Sequence, residues 1–194
     1  MYLAWALLDS GNLGRALQEV QAAIERDPSL GDAYWIRGVV RLRTGAVQDA
    51  LNDLTRATQL RPARFEAFAA IGECYDQLRR LPDAMRAYQR ALEGNGQNGE
   101  WWYKLGRLQM DSDARRDAEQ SLARAVLLGE AMPNRPGWLA DAHRIYGDAL
   151  RLGGNRPVAI EHYRRYLEIA PPSAIDRPDV RRALLDLGVA LPPQ

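Results

Sequence analysis

Lysine, cysteine and histidine are nearly absent from this sequence of 194 residues, and each shortage argues against a class of protein. Cys74 is the single cysteine, so an intrachain disulfide and a cage of several thiolates are both impossible. Lys104 is the only lysine, and 26 basic residues nearly balance 25 acidic ones, for a formal net charge of +1. We therefore predict no nucleic-acid partner, because such partners usually require a strongly basic surface.

Long apolar runs are missing too. No stretch approaches the roughly 20 residues that cross a bilayer, and residues 1–12 lack the basic start and small-residue cleavage site of a signal peptide. We expect a soluble protein without a membrane partner, in the cytoplasm rather than the periplasm. The residues that are abundant, alanine, leucine, arginine and glutamate, favour helices over strands, so we expect an all-α fold. The strong preference for arginine over lysine is typical of GC-rich bacterial genomes, which favours a bacterial source.

Similar residues return at a fixed interval of 34 positions, which is the mark of a repeat protein. Three columns of small residues carry the period: Ala16, Ala50, Ala84 and Ala118; Ala23, Ala57, Ala91 and Ala125; Gly38, Gly72 and Gly106. From Gly106 to Gly147 the step becomes 41, so seven residues are inserted, and the segment Gly129–Gly137 is the expected place. The sequence therefore contains about five copies of one unit.

Each unit reads as a pair of helices. A column of large residues opens the first helix, and a second large column lies on the second helix: Tyr34, Phe68, Trp102 and His143; Val20, Leu54, Tyr88, Leu122 and Tyr163. The glycine column lets the two helices approach closely. We predict helix pairs at 1–10/13–26, 31–44/47–60, 64–78/81–93, 99–111/114–128 and 138–152/156–169, followed by a last helix at 178–187.

The segment Gly31–Pro62, GDAYWIRGVVRLRTGAVQDALNDLTRATQLRP, resembles a tetratricopeptide repeat over its full length. The resemblance extends over residues 1–172 and implies an all-α, right-handed superhelix of about five helix pairs, with units at about 1–30, 31–64, 65–98, 99–132 and 138–172. Residues 173–194 would form a capping helix and tail. Gly96 and Glu130 replace the closing proline, and Tyr166 replaces an alanine. Because Met1 falls inside the first predicted helix, the sequence is either a fragment of a longer array, which we favour, or a divergent start of one.

Residues suited to catalysis or metal binding are scarce. His143 and His162 have no partner at the spacing of a metal site or a catalytic triad. We interpret His143 as a packed core residue, His162 as a surface residue and Cys74 as a small buried hydrophobe. We expect no enzyme activity, no cofactor and no metal.

The resemblance implies that the first helix of each unit lines a concave wall. Five columns on that wall hold nine carboxylates and four arginines, so we expect an acidic wall with an exposed aromatic and apolar part near the N-terminus. The predicted partner-binding residues are Trp5, Leu8, Trp35, Val39, Leu42, Arg43, Glu66, Glu73, Asp76, Tyr103, Arg107 and Met110.

Two features of this wall have competing interpretations. The first is the acidic column in the first turns of the helices, which comprises Asp32, Glu66, Glu100 and Asp141. It either binds a ligand or only stabilises the helix dipoles. Trp5 and Trp35 can face a partner, or repeats upstream of this sequence can cover them.

The family resemblance implies contact with other proteins. We predict a scaffold, part of a larger bacterial protein or complex, that binds a basic or amphipathic peptide or helical segment in the groove. The alternative is a self-assembly module that forms homo-oligomers through its terminal repeats. Replacing both Trp35 and Tyr103 by alanine would lower the affinity for a ligand of the groove. Light scattering would detect self-assembly.

Overall fold

All regular structure in the described part of the chain, residues 2–191 of a computed structural model, is helical. The helices that it contains are α1 (Tyr2–Asp9), α2 (Leu13–Arg26), α3 (Gly31–Arg43), α4 (Val47–Leu60), α5 (Phe65–Gln77), α6 (Leu81–Gly94), α7 (Gly99–Asp111), α8 (Arg115–Glu130), α9 (Leu139–Leu152), α10 (Arg156–Ile169) and α11 (Arg177–Asp186). The expected all-α fold is confirmed, and each helix end lies within two residues of its predicted position. Met1 lies outside the described residues.

The chain forms two compact units, Met1–Gly96 and Gln97–Gln194. The first unit contains the hairpins α1/α2, α3/α4 and α5/α6, and the second contains α7/α8, α9/α10 and α11. Each unit buries its own apolar core. In the first unit the core runs through all three hairpins, and in the second unit it includes separate clusters around α8/α9 and around α10/α11.

The glycine column sets the distance between the two helices of a hairpin. A Cβ atom on Gly38 would lie 2.7 Å from the Leu54 side chain, and one on Gly106 would lie 2.6 Å from Leu122. The same contact recurs where Gly72 meets Tyr88 and where Gly147 meets Tyr163. The glycine column and the second large column of the repeat are therefore in direct contact, which is consistent with the predicted close approach of the two helices.

The turn inside each hairpin requires one residue in the left-handed region of backbone space. Glycine occupies it in three hairpins, with φ from 77° to 86°: Gly11, Gly45 and Gly154. Arg79 (φ 57°) and Asp113 (φ 60°) occupy the same place in the other two. A side chain there costs backbone energy that glycine avoids.

The insertion extends α8 and adds a linker before α9. α8 is 16 residues long, two more than α2, α4 and α6, and residues 131–138 then lead into α9. The ring of Trp138, at the end of this linker, packs over Gly99 and Gly129, where a Cβ atom would come within 2.9 Å of it. The insertion thus supplies an aromatic side chain to the second unit.

The last helix covers the α9/α10 hairpin. α11 buries Val180 and Leu184, which share a cluster with Tyr163 and Tyr166 of α10. Tyr166, in place of the alanine of other units, fills this contact. The expected capping helix is present.

Candidate partner-binding surface

We call the side of the first unit formed by α1, α3 and α5 its inner face, because the resemblance predicts that these first helices line a concave wall. Two stacked tryptophans lie on it. The ring centroids of Trp5 on α1 and Trp35 on α3 lie 4.8 Å apart, with the ring planes inclined by 19°. Trp35 is only 6% exposed, whereas Trp5 is 48% exposed. The expectation that Trp35 is exposed is therefore wrong, because Trp5 of this same chain covers it. Trp5 presents the accessible ring.

Arg64 covers the buried tryptophan as well. Its guanidinium lies 4.5 Å from the Trp35 ring centroid. Arg64 Nη2 lies 2.6 Å from Asp32 Oδ1, and Nη1 lies 3.9 Å from Glu66 Oε2. Arg61 also pairs with Asp32. Two members of the acidic first-turn column are thus within ion-pair distance of arginines, so the inner face of the first unit is less acidic than the columns predict.

The Trp35 indole packs in the hydrophobic core of the first unit and makes no hydrogen bond through its ring nitrogen in the described part of the chain. Within residues 2–191 no hydrogen-bond acceptor reaches its buried Nε1–H. A buried donor without an acceptor costs roughly 1–3 kcal/mol, and aromatic stacking together with the cation–π contact returns roughly the same amount.

The other predicted residues of the first unit divide into buried and exposed ones. Leu8 (4% exposed) and Leu42 (8%) belong to the core, so the prediction that they contact a partner is wrong for the observed packing. Val39 and Asp76 are half-buried, and Glu66 and Glu73 are exposed. Arg43 is exposed and donates from Nη1 to the Leu8 carbonyl over 3.0 Å, which ties α3 to α1.

Tyr103 of the second unit occupies the repeat position of Trp35 but has different neighbours. Its ring is 5.8 Å from that of Trp138 and nearly parallel to it, and its hydroxyl donates to Asp141 Oδ2 over 2.7 Å. Burial, and then Asp141, raise the pKa of Tyr103 well above its ordinary value. Tyr103 is therefore half-buried and tied to α9.

Arg144 is the centre of a polar network on α9. Its Nε donates to Asp141 Oδ1 over 2.7 Å, and it lies 3.6 Å from Asp148 and from Asp176. The Tyr163 hydroxyl donates to Asp148 over 2.7 Å. The charged side chains of α9 are therefore paired with residues of their own unit.

The remaining predicted residues of the second unit, Arg107 and Met110, are half-buried. Arg107 Nη1 lies 3.4 Å from Asp111. Met110 packs against the cluster around Leu122 and Ile145. Their repeat positions place them on α7, and both already contact residues of their own unit.

A second feature of this unit, a pair of histidines, was missed by the sequence analysis. His143 is 3% exposed, which confirms the interpretation as a packed residue. His162 is not a simple surface residue: its Nδ1 lies 2.9 Å from His143 Nδ1, and its ring packs 4.4 Å from Tyr146. His143 Nε2 lies 3.1 Å from Glu130 Oε1, and Arg165 forms two hydrogen bonds to Glu130.

The protonation states of this chain of groups follow from their contacts. Arg165 above all, and also His143, lower the pKa of Glu130 to about 2, so Glu130 only accepts. His143 Nε2–H therefore donates to Glu130, and a neutral His143 accepts at Nδ1 from His162. Burial lowers the pKa of both histidines, that of His162 to about 4. The only sequence signal for this cluster was Glu130 in place of the closing proline.

Metal-binding groups, the cysteine and membrane-spanning helices were the other candidate features of the described residues. In residues 2–191 no group of three or more His, Cys, Asp or Glu side chains has an arrangement that holds a metal. Cys74 is buried, and burial raises the pKa of its thiol to about 12, which suits its interpretation as a packed hydrophobe. No helix in this part of the chain is both long and apolar enough to span a bilayer.

Comparison with known families now identifies the repeat. The family model described as tetratricopeptide repeat matches residues 3–63, 47–100 and 103–174. The chain belongs to the tetratricopeptide-repeat family. Proteins of this family generally mediate contacts between proteins and are generally not enzymes.

Individual relatives confirm the fold. MamA (TM-score 0.74, 20% identity) matches 87% of this chain and 94% of its own. YrrB, described as a TPR protein with an unusual peptide-binding site, has a TM-score of 0.73 and 22% identity over 89% of this chain and 86% of its own. The expected tetratricopeptide solenoid is therefore confirmed.

A curated relative is much longer than the matching region. DnaJ homolog subfamily C member 3 from Rattus norvegicus is 33% identical over 94 residues. These residues make up 48% of this chain but only 19% of that protein. The similarity therefore concerns the repeats and not the rest of the longer protein.

Proposed function

We propose that this chain is a scaffold that binds a peptide or helical segment of a partner protein, with the inner face of the first unit as the main contact. Residues 1–172 act as the repeat array and residues 173–194 as its cap and tail. The scaffold is part of a larger bacterial protein or complex. The peptide-binding site described for YrrB is consistent with this role.

The observation that carries the proposal is the half-exposed ring of Trp5. A tryptophan in a fixed position offers a large contact area at little cost in conformational entropy, which is why this residue is frequent at binding hot spots. Trp5 is fixed because Trp35, itself buried and covered by Arg64, supports one of its faces. The exposed carboxylates Glu66 and Glu73 belong to the same inner face and favour a basic or amphipathic segment.

Selection from a random peptide library tests the proposal. Peptides that bind the full chain are measured against Trp5→Ala and against Leu127→Ala, a matched truncation of a side chain that is 60% exposed on α8. We expect Trp5→Ala to lower the affinity by at least about tenfold, as for a hot-spot residue, and Leu127→Ala to leave it unchanged. Equal affinity for the two variants would remove the first unit as the binding site.

The second candidate function is self-assembly through the terminal helices. Leu3 on α1 is 53% exposed and Leu185 on α11 is 57% exposed, so both are accessible for a contact between two copies of the chain. Light scattering at several concentrations tests it: the mass rises with concentration if the chain self-associates, and Leu3→Ser and Leu185→Ser then reduce it. A constant monomer mass removes this candidate.

A further inference from the structure

The stack on the inner face of the first unit has one free end. An indole ring has two faces, and the guanidinium of Arg64 and the ring of Trp5 both lie over Trp35, at 4.5 and 4.8 Å from its centroid. A guanidinium and an indole each cover much of one face, so opposite faces of Trp35 accommodate both groups. The order of the stack is therefore Arg64, Trp35, Trp5, and the outer face of Trp5 belongs to its exposed surface.

The aromatic rings of the first unit are repeatedly paired with planar cations. In the first unit, arginine guanidiniums already lie over four aromatic rings, at 4.5–5.7 Å from the centroids: Arg37 on Tyr34, Arg64 on Trp35, Arg80 on Tyr75 and Arg90 on Phe68. The electron-rich face of tryptophan is the best such platform among the aromatic side chains. Trp5 therefore offers the same kind of surface that the chain covers elsewhere with its own arginines.

An exposed carboxylate lies on the same side of α1 as Trp5. Asp9 is exposed and lies four residues after Trp5 on α1, which places the two side chains on the same side of the helix. A guanidinium stacked on Trp5 can therefore also pair with Asp9. A lysine ammonium can make the ion pair, but it has no plane to stack on the ring.

We infer that the outer face of Trp5 binds an arginine side chain of the partner segment, with Asp9 as its counter-ion. This inference rests on the proposed function and makes it more specific, because it names the partner residue at the site. The partner arginine continues the stack by one member, so that Trp5 is covered on both faces, as Trp35 is in the free chain.

Nuclear magnetic resonance of the full chain tests the inference without a known partner. The probes are N-acetyl-arginine amide, N-acetyl-lysine amide and N-acetyl-glutamine amide at equal ionic strength. The indole N–H signal of Trp5 is identified by its loss in Trp5→Phe, and its shift is followed during each titration. We expect arginine to bind most tightly, roughly two- to fivefold more tightly than glutamine, as an exposed cation–π contact gives.

The controls separate the ring from the carboxylate. Trp5→Ala abolishes the preference for arginine over glutamine, as read from backbone amide signals of α1, and Asp9→Asn reduces it. Leu127→Ala preserves it. Equal binding of the three probes at Trp5, or a response confined to Trp101, Trp102 and Trp138, overturns the inference.

Other occupants of the face give distinct results. If selected peptides require Trp5 but tolerate replacement of every arginine by glutamine, the inference fails and the proposed scaffold stands. If the wild-type chain is a dimer that Trp5→Ala dissociates, a second copy occupies the face, and the inference is overturned. If the arginine probe binds at Trp5 but no peptide depends on this ring, the proposed function fails on its own test.

Discussion

The inner faces of the two units place an aromatic side chain at the same repeat position but use it differently. In the first unit Trp35 is buried beneath Trp5, and the accessible ring belongs to the neighbouring helix. In the second unit Tyr103 is fastened through its hydroxyl to Asp141 and through its ring to Trp138. The repeat period therefore determines where a side chain lies along the array, while its neighbours determine whether a partner can reach it.

The largest expected effect distinguishes the buried from the exposed tryptophan. Removal of a buried tryptophan side chain costs roughly 3–5 kcal/mol, so Trp35→Ala should lower the free energy of unfolding by about that amount. Trp5→Ala removes a half-exposed ring and should cost clearly less. Chemical denaturation of both variants measures the difference. Equal losses of unfolding free energy would contradict the distinction between a buried, supporting Trp35 and an accessible Trp5.

The next effect concerns acid, to which the two units should respond differently. The folded pKa of His162 is lowered to about 4 and that of His143 is also lowered, so between pH ~6.5, the unfolded value, and pH ~4 the unfolded chain binds more protons. The stability from these groups is complete above pH ~6.5 and is lost as the pH falls toward ~4. Glu130, with a pKa of about 2, loses its contribution only below its unfolded value of 4.5.

Hydrogen exchange resolves this difference. Amides of α9 and α10 should exchange faster as the pH falls from 7 to 5, after correction for the intrinsic rate. Those of α3 and α4 should not, since residues 1–96 contain no histidine. In His162→Gln the exchange rates of α9 and α10 should depend less on pH than in the wild type. Identical behaviour of wild type and His162→Gln would show that the histidine pair does not link stability to pH.

A third variant loosens the aromatic group of the second unit. Tyr103→Phe keeps the ring on Trp138 but removes the hydrogen bond to Asp141, at a cost of roughly 0.5–1.5 kcal/mol. Peptides that bind through Trp5 should keep their affinity for this variant. A loss of affinity equal to that of Trp5→Ala would mean that both inner faces contact the peptide to the same degree.

The smallest effect concerns the hairpin turns. Asp113→Gly and Arg79→Gly relieve a left-handed backbone, and each should raise the free energy of unfolding by roughly 0.5–1 kcal/mol. Gly45→Ala, at the same place in the α3/α4 turn, should lower it by a similar amount. Thermal unfolding of the three variants measures these shifts. Destabilisation by Asp113→Gly would mean that its side chain contributes more than the turn costs.

The sequence predicted the helices and the contacts between columns because both depend on local rules. The glycine column predicted a close approach of the two helices of a hairpin, and the structure shows it where Gly38 meets Leu54. The exposure of each side chain was harder to predict, because it also depends on long side chains that lie outside the columns. Arg64 reaches Trp35 from the turn before α5, and no periodic pattern indicates that contact.

The insertion explains the other residues that were missed. Trp138 ends the linker between α8 and α9 and Glu130 is the last residue of α8, so both lie where the insertion breaks the period. His143 and His162 lie on different helices, 19 positions apart in the sequence. Their contact becomes visible only in the three-dimensional structure. These features depend on tertiary packing and not on the repeat.

Photo-crosslinking tests most directly whether Trp5 contacts the partner. Benzoylphenylalanine is placed at position 5 or at position 127, and each protein is irradiated with a library-selected peptide at the same fractional saturation. Position 5 should give a crosslink that excess unlabelled peptide suppresses, and position 127 should give none. A crosslink at position 127 without one at position 5 would contradict the account.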